Sequence, residues 1–223
     1  MTFTDKLHAV QQHNSSRLGL RLDILANKLP LPFARTDDPM LPFAQALIDA
    51  TRDLVCAYVI DPAYYLSEGA PGMIALERIT RYVPDAVPII LDTRYGSLGD
   101  SAPHYARAAF EAFRADAVTF SVRPDPQTLT AFLKYSDKGL FLPEISGDFA
   151  QAGLIVDAQR PVNAPTDNRP RLIRHAAYQT YGNAIVTADS IVESDPALIY
   201  ASRRDDFAEA VREATRTLHD RIG

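Results

Sequence analysis

Val87-Pro88-Ile89-Ile90-Leu91-Asp92-Thr93-Arg94-Tyr95-Gly96-Ser97-Leu98-Gly99-Asp100-Ser101-Ala102 is the stretch around which the rest of the chain falls into place. Its first five residues form a short apolar run rich in β-branched side chains, the pattern of a strand buried on both faces. The run ends on Asp92, and Arg94 follows two residues later. Strand side chains alternate with period two, so both would project the same way if the strand continued that far. Gly96 and Gly99 then mark a turn, Asp100 or Ser101 offers an N-cap, and Pro103 suits the first turn of a helix. Polar groups at the tip of a buried parallel strand, just before a helix, are where a barrel enzyme keeps its chemistry.

The same rhythm extends in both directions. Upstream, a short helix is expected over Thr4 to Gln12, then a strand at Leu18–Leu22 and a proline-rich loop from Lys28 to Pro42. Phe43, Leu47, Thr51 and Leu54 recur at helical spacing before a strand at Val55–Ile60. Met73, Leu76, Ile79 and Val83 mark the next helix, closed by Pro84. Downstream, Tyr105, Ala109, Phe110 and Phe113 form another stripe, followed by a strand at Ala117–Ser121. Pro126 opens a helix carrying Leu129, Phe132 and Leu133, and Gly139–Leu142 is the fifth strand. Leu154–Val156 and Arg171–Arg174 read as the sixth and seventh. Ala184–Ala188 is expected as the eighth, with Leu198–Tyr200 competing for the place. Phe207, Val211, Ala214, Leu218 and Ile222 form a closing helix with Asp205 or Asp206 near its positive end. Strands alternating with helices imply a parallel sheet, and about eight of them an α/β fold of the (β/α)8 TIM-barrel class. Residues 1–223 are expected to form a single barrel domain.

The 223 residues are 47% hydrophobic and 23% charged, as in an ordinary globular domain. A net charge of −5 without a basic cluster argues against a nucleic-acid partner. The N-terminus has no long apolar stretch, so neither a leader nor a membrane span is expected, and a cytoplasmic location fits. Cys56 lies in an apolar run and reads as a buried structural thiol. The five histidines show no metal-ligand spacing, and no metal or cofactor is called for. His175, at the tip of the seventh strand, is a pocket candidate.

Taken with its surroundings, the opening stretch resembles the orotidine 5'-monophosphate decarboxylase family, whose third strand is often written LDAKRGDIGSTA where this chain has LDTRYGSLGDSA. Leu18-Gly19-Leu20-Arg21-Leu22-Asp23 resembles that family's VGLD, and Ala57-Tyr58-Val59-Ile60-Asp61 its AYKPN. Val156 to Pro161 resembles VGATYP, and Tyr200 to Ala214 the family's last helix. The likeness keeps its order from about Phe3 to Ile222. It implies a two-fold dimer with the motif loop Tyr95 to Asp100 at the subunit boundary.

The family's chemistry uses a lysine flanked by aspartates, with a second lysine holding the array, to stabilise and protonate the carbanion left by CO2. On this resemblance Asp92 keeps the first aspartate, but Arg94 holds the catalytic lysine position, Ser97 the later aspartate and Val59 the outer lysine. Arginine stays protonated, and its delocalised fork is a poor acid towards carbon. The glycine-rich phosphate loop is matched by Leu172 to Gly182, which lacks the glycine cradle and keeps Gln179. The Ser-Arg of the eighth strand falls near Asp189-Ser190, Asp195-Pro196 or Ser202-Arg203, according to register. Arg203 is thus either the phosphate arginine or part of a solvated turn. Asp23 matches a ribose-contacting aspartate, in a pocket or structural role. Ser146 matches a pyrimidine-contacting serine or is a plain loop residue. The expected function is an orotidine 5'-monophosphate decarboxylase-like protein, catalytically silent, with a binding or regulatory role near pyrimidine metabolism. Its ligand would be a nucleotide or a carboxylate. The alternatives are a lyase or other enzyme with a rebuilt pocket, using Asp92 as base or anchor and Arg94 as an anion clamp on a carboxylate, or a decarboxylase with residual activity.

Overall fold

A computed structural model describes residues 1–33, 36–143, 152–156, 169–182 and 186–222. Eight strands pair in sequence order, all parallel, and β1 closes on β8. They are β1 (Leu18–Arg21), β2 (Ala57–Ile60), β3 (Ile89–Tyr95), β4 (Ala117–Phe120), β5 (Gly139–Leu142), β6 (Ala152–Val156), β7 (Arg171–Ile173) and β8 (Ser190–Glu193). The helices are α1 (Phe3–Asn14), α2 (Met40–Thr51), α3 (Pro62–Leu66), α4 (Gly69–Tyr82), α5 (Ala102–Arg107), α6 (Pro126–Leu133), α7 (His175–Tyr181) and α8 (Phe207–Ile222). The fold is the expected (β/α)8 barrel.

Local sequence explains the starts of several helices. Thr2 and Asp5 form a reciprocal capping box on α1. Asp61 caps α3 and Asp125 caps α6, each followed by proline in the first turn. The strands read as apolar runs because the helices cover their outer faces while side chains from all eight fill the barrel.

The eighth strand differs from expectation. It is Ser190–Glu193, whereas Val186 to Ala188 are not strand and Pro196–Tyr200 form a 3-10 turn. Thr187 and Ser190 close a turn just before the strand, with the Ser190 N–H donating to the Thr187 carbonyl and the Thr187 N–H to Ser190 Oγ. The strand has only two apolar residues, because its last side chain, Glu193, belongs to the charged mouth and breaks the apolar pattern.

Inside the barrel the side chains lie in layers. At the floor, the Phe3 ring packs edge-on against Phe141 with centroids 5.7 Å apart. A Cβ on Gly139 would come within 2.5 Å of the Phe3 ring, so glycine makes room for that plug. Higher up, a Cβ on Gly19 would meet Ile191 at 2.7 Å and Val59 at 3.2 Å. Arg21 lies one pleat above Gly19, paired in register with Val59 of β2.

Candidate functional site at the barrel mouth

Arg21 rises from the apolar middle layer into the mouth, where it is only 4% exposed. Its Nε donates to Asp23 Oδ2 at 2.7 Å, and its Nη1 to Asp92 Oδ2 at 3.1 Å and Glu193 Oε2 at 3.2 Å. Arg174, just beyond β7, donates from Nη1 to Glu193 Oε1 at 2.7 Å and from Nη2 to Asp92 Oδ1 at 2.8 Å. Arg94 closes the arrangement from the solvent side, with Nε and Nη2 at 3.2 and 3.0 Å from Asp92 Oδ2. Its side chain is 55% exposed and approaches Asp61 at 3.9 Å. Thr119 adds a further bond, its hydroxyl donating to Asp92 Oδ1 at 2.8 Å. Side chains at β1, β3, β4 and just beyond β7 therefore converge on one carboxylate, Asp92.

The backbone of β3 is adapted to this. Pairing with β4 shifts register between Leu91 and Tyr95, and Arg94 adopts a left-handed conformation with φ 48°. That conformation costs a non-glycine residue roughly 1–2 kcal/mol. Here it lets the Arg94 N–H donate to Thr119 Oγ1 at 3.0 Å, while its guanidinium turns back over Asp92. It also sends Tyr95 outward, among Tyr105, Phe120 and Phe132. The bulge thus separates a charged inner residue from an aromatic outer one.

Burial alone would raise the Asp92 carboxyl, but Arg174, Arg21 and Arg94 outweigh it and hold the group well below the usual carboxylate range. Glu193 and Asp23 go the other way: burial pushes both up, against the pull of their arginines. Burial also opposes the charge on Arg21, yet Glu193, Asp23 and Asp92 hold its proton more firmly than usual. The cations of this mouth are guanidiniums, which keep their protons at accessible pH.

Asp23, Asp92 and Arg94 therefore lie at one end of the barrel. Asp23 accepts from the Asp61 N–H at 2.8 Å and from Arg21. Val59 is fully buried and lies beside Gly19 in the apolar layer. Gln179 is exposed on α7, with its Nε2 3.0 Å from Nε2 of His175, the residue that follows Arg174. His175 in turn lies 3.8 Å from Asp195. Arg203 is exposed, and its carbonyl accepts from the Leu31 N–H. Ser146 lies outside the described residues. Ser97 faces α6 of its own chain, its hydroxyl accepting from the Asp125 N–H at 3.1 Å. β8 ends at Glu193, and Asp195-Pro196 follow it, with Asp195 capping the next turn by accepting from the Ala197 N–H.

Arg21, Glu193, Arg174 and Thr119 are functional candidates that the sequence motifs do not single out. When VGLD is laid on Leu20–Asp23, its glycine falls on Arg21, an arginine inside an otherwise apolar strand. That substitution is the one signal the sequence offers. Among the described residues, no group of three or more His, Cys, Asp or Glu could hold a metal ion, and no helix is long and apolar enough to cross a membrane. A cleft of about 430 Å³ beside His8, Gln12 and Asp189 opens at the floor end, away from this cluster.

No family model matches the chain. Individual relatives do. It is 31% identical over 268 residues to orotidine 5'-phosphate decarboxylase of Ralstonia pickettii, covering 100% of this chain and 98% of that one. The corresponding protein of Cupriavidus metallidurans is 33% identical over the same span and coverage. The alignments run over 268 residues against the 223 of this chain, so the relatives carry stretches that it lacks. Among solved structures, Leishmania donovani OMP decarboxylase superposes with a TM-score of 0.72 at 22% identity, covering 100% of this chain and 98% of that one. Leishmania donovani UMP synthase gives 0.73 at 23%, with 56% of its chain covered. Full-length identity above 30% and the shared barrel lead to one conclusion: the chain belongs to the orotidine 5'-phosphate decarboxylase family.

Proposed function

We propose that this member of the family does not convert orotidine 5'-monophosphate to UMP and serves as a binding or regulatory protein near pyrimidine metabolism. The observation that carries the proposal is the saturation of Asp92, which accepts hydrogen bonds from three guanidiniums and one hydroxyl. In the lysine-based scheme this carboxylate stands beside an ammonium that gives a proton to carbon. Here every cation bound to it is a guanidinium, and a guanidinium does not yield its proton at accessible pH. Val59 supplies no second cation from β2.

The phosphate end supports the same reading. In the register that sets the family's Ser-Arg just after β8, Asp195 offers a carboxylate instead, and Pro196 lacks even a backbone donor. A charge-assisted hydrogen bond to phosphate is worth about 1.5–3 kcal/mol, so a site lacking two or three of them binds more weakly by several powers of ten. The barrel is proposed to act in the cytoplasm as a homodimer, with one domain per chain and Asp23, Asp92 and Arg94 lining the ligand end. The test is to follow orotidine 5'-monophosphate absorbance with purified protein, and to titrate UMP by calorimetry. The proposal expects no turnover and no micromolar binding. Turnover at an ordinary enzymatic rate would overturn it.

A further inference from the structure

We infer that Arg21 and Arg174 form a carboxylate receptor at the barrel mouth, and that Glu193 occupies it as a built-in ligand. This deepens the binding reading above by naming a ligand class, small carboxylic acids, that must displace an internal carboxylate. Glu193 is held through both oxygens, Oε1 by Arg174 Nη1 at 2.7 Å and Oε2 by Arg21 Nη1 at 3.2 Å. Two guanidiniums, one from β1 and one from just beyond β7, each gripping one oxygen, are an arrangement suited to recognising a free carboxylate.

Three features make the receptor preorganised. Arg21 is fixed by Asp23 through Nε, and Arg174 by Asp92 through Nη2, so neither fork depends on Glu193 for its position. Asp92 is itself anchored by Thr119. The Glu193 side chain, by contrast, has hydrogen bonds only to these two arginines among the described residues. Its backbone stays in β8 whichever way the side chain turns, since the following Ser194 N–H is bound to the Gly19 carbonyl at 2.9 Å. The occupant is therefore held by the two guanidiniums alone, while they have further anchors of their own. Arg94, more than half exposed, lies over Asp92 beside it and offers a cationic approach from solvent.

Removal of the occupant tests this directly. In Glu193→Ala the melting temperature should fall by about 10 °C, as expected when one partner leaves a buried ion-pair set in a chain of this length. Sodium acetate or formate should then restore part of the loss in a saturable way, relative to sodium chloride at equal ionic strength. The wild type should respond less, because acetate must first displace Glu193. The double variant Glu193→Ala with Arg174→Gln should lose the rescue. Equal effects of acetate and chloride on Glu193→Ala, or equal acetate effects on it and the wild type, would overturn the inference. If Glu193→Ala is recovered unfolded, refolding yields in the two salts decide: a higher yield in acetate is expected, and equal yields overturn it. Failure here leaves the absence of decarboxylation untouched, and turnover of orotidine 5'-monophosphate would leave the acetate result standing.

Discussion

At the floor of the barrel, Phe3 from α1 packs on Phe141 and over Gly139, and the strand ends are sealed by apolar contact. At the mouth, Arg21, Arg174, Asp92 and Glu193 fill the equivalent space with charge. Both ends exclude water, but their energetics differ. Apolar burial at the floor is favourable by itself and depends little on direction. Buried ions at the mouth each carry a desolvation cost, offset only while every partner is in place. A barrel needs only the first kind of seal to be stable. The second kind lies at the C-terminal ends of the strands, and it is fragile to single changes.

The largest effect is expected of Asp92→Ala. It should cost about 3–5 kcal/mol in equilibrium unfolding, because three guanidiniums are deprived of a shared acceptor inside the barrel. A loss below about 1 kcal/mol would mean that the mouth is solvated and not a sealed layer. The pH dependence of Asp92→Asn sharpens the same point. The Asp92 carboxyl is depressed in the folded state, so its contribution is present above the unfolded value near about 4 and disappears as pH falls through the folded value. The stability gap between wild type and Asp92→Asn should therefore be wide at neutral pH and narrow in strong acid. A constant gap across acid titration curves would refute it.

Gly139→Ala probes the floor. The added methyl would sit 2.5 Å from the Phe3 ring and 3.0 Å from Ala117 Cβ, and overpacking of this kind costs about 1–3 kcal/mol. Denaturant midpoints should show that loss to be nearly independent of pH, unlike the mouth variant. The smallest expected change is Thr119→Val, which removes the donor to Asp92 and the acceptor for the Arg94 N–H. It should cost on the order of 1–2 kcal/mol, and its effect should be strongly non-additive with Asp92→Ala in a double-mutant cycle. Additivity would place the two residues in separate networks.

Much of the barrel is legible in the sequence because most strands are short apolar runs and the helices between them carry clear stripes. Ile89 to Leu91, Ala117 to Phe120 and Gly139 to Leu142 fall where the pattern puts them. β8 is not legible, since Glu193 and Ser190 bracket only two apolar residues. The motif comparison brings Asp23, Asp92 and Arg94 to one end, and the barrel explains why: each stands near or beyond the C-terminal end of its own strand. Arg21, Arg174 and Glu193 form no motif, because their meaning lies in one another. Arg21 and Glu193 are 172 positions apart in the chain and meet only when β1 pairs with β8. Arg174 joins them because β7 flanks β8 on its other side.

Two things can be read from the chain without its fold: the alternation of strand and helix, hence the barrel, and the arginine and valine at positions 94 and 59, neither of which is a lysine. Both are local properties, one of periodicity and one of side-chain type at a motif position. Tertiary structure alone decided where the charge went. Arg21 stands beside Val59 in register, so a cation enters the mouth from β1 where β2 carries none. Asp195-Pro196 takes the strand-eight tip only because β8 ends at Glu193. Whether a buried arginine is a ligand site or a structural plug depends on which carboxylates face it, and strand closure sets those distances.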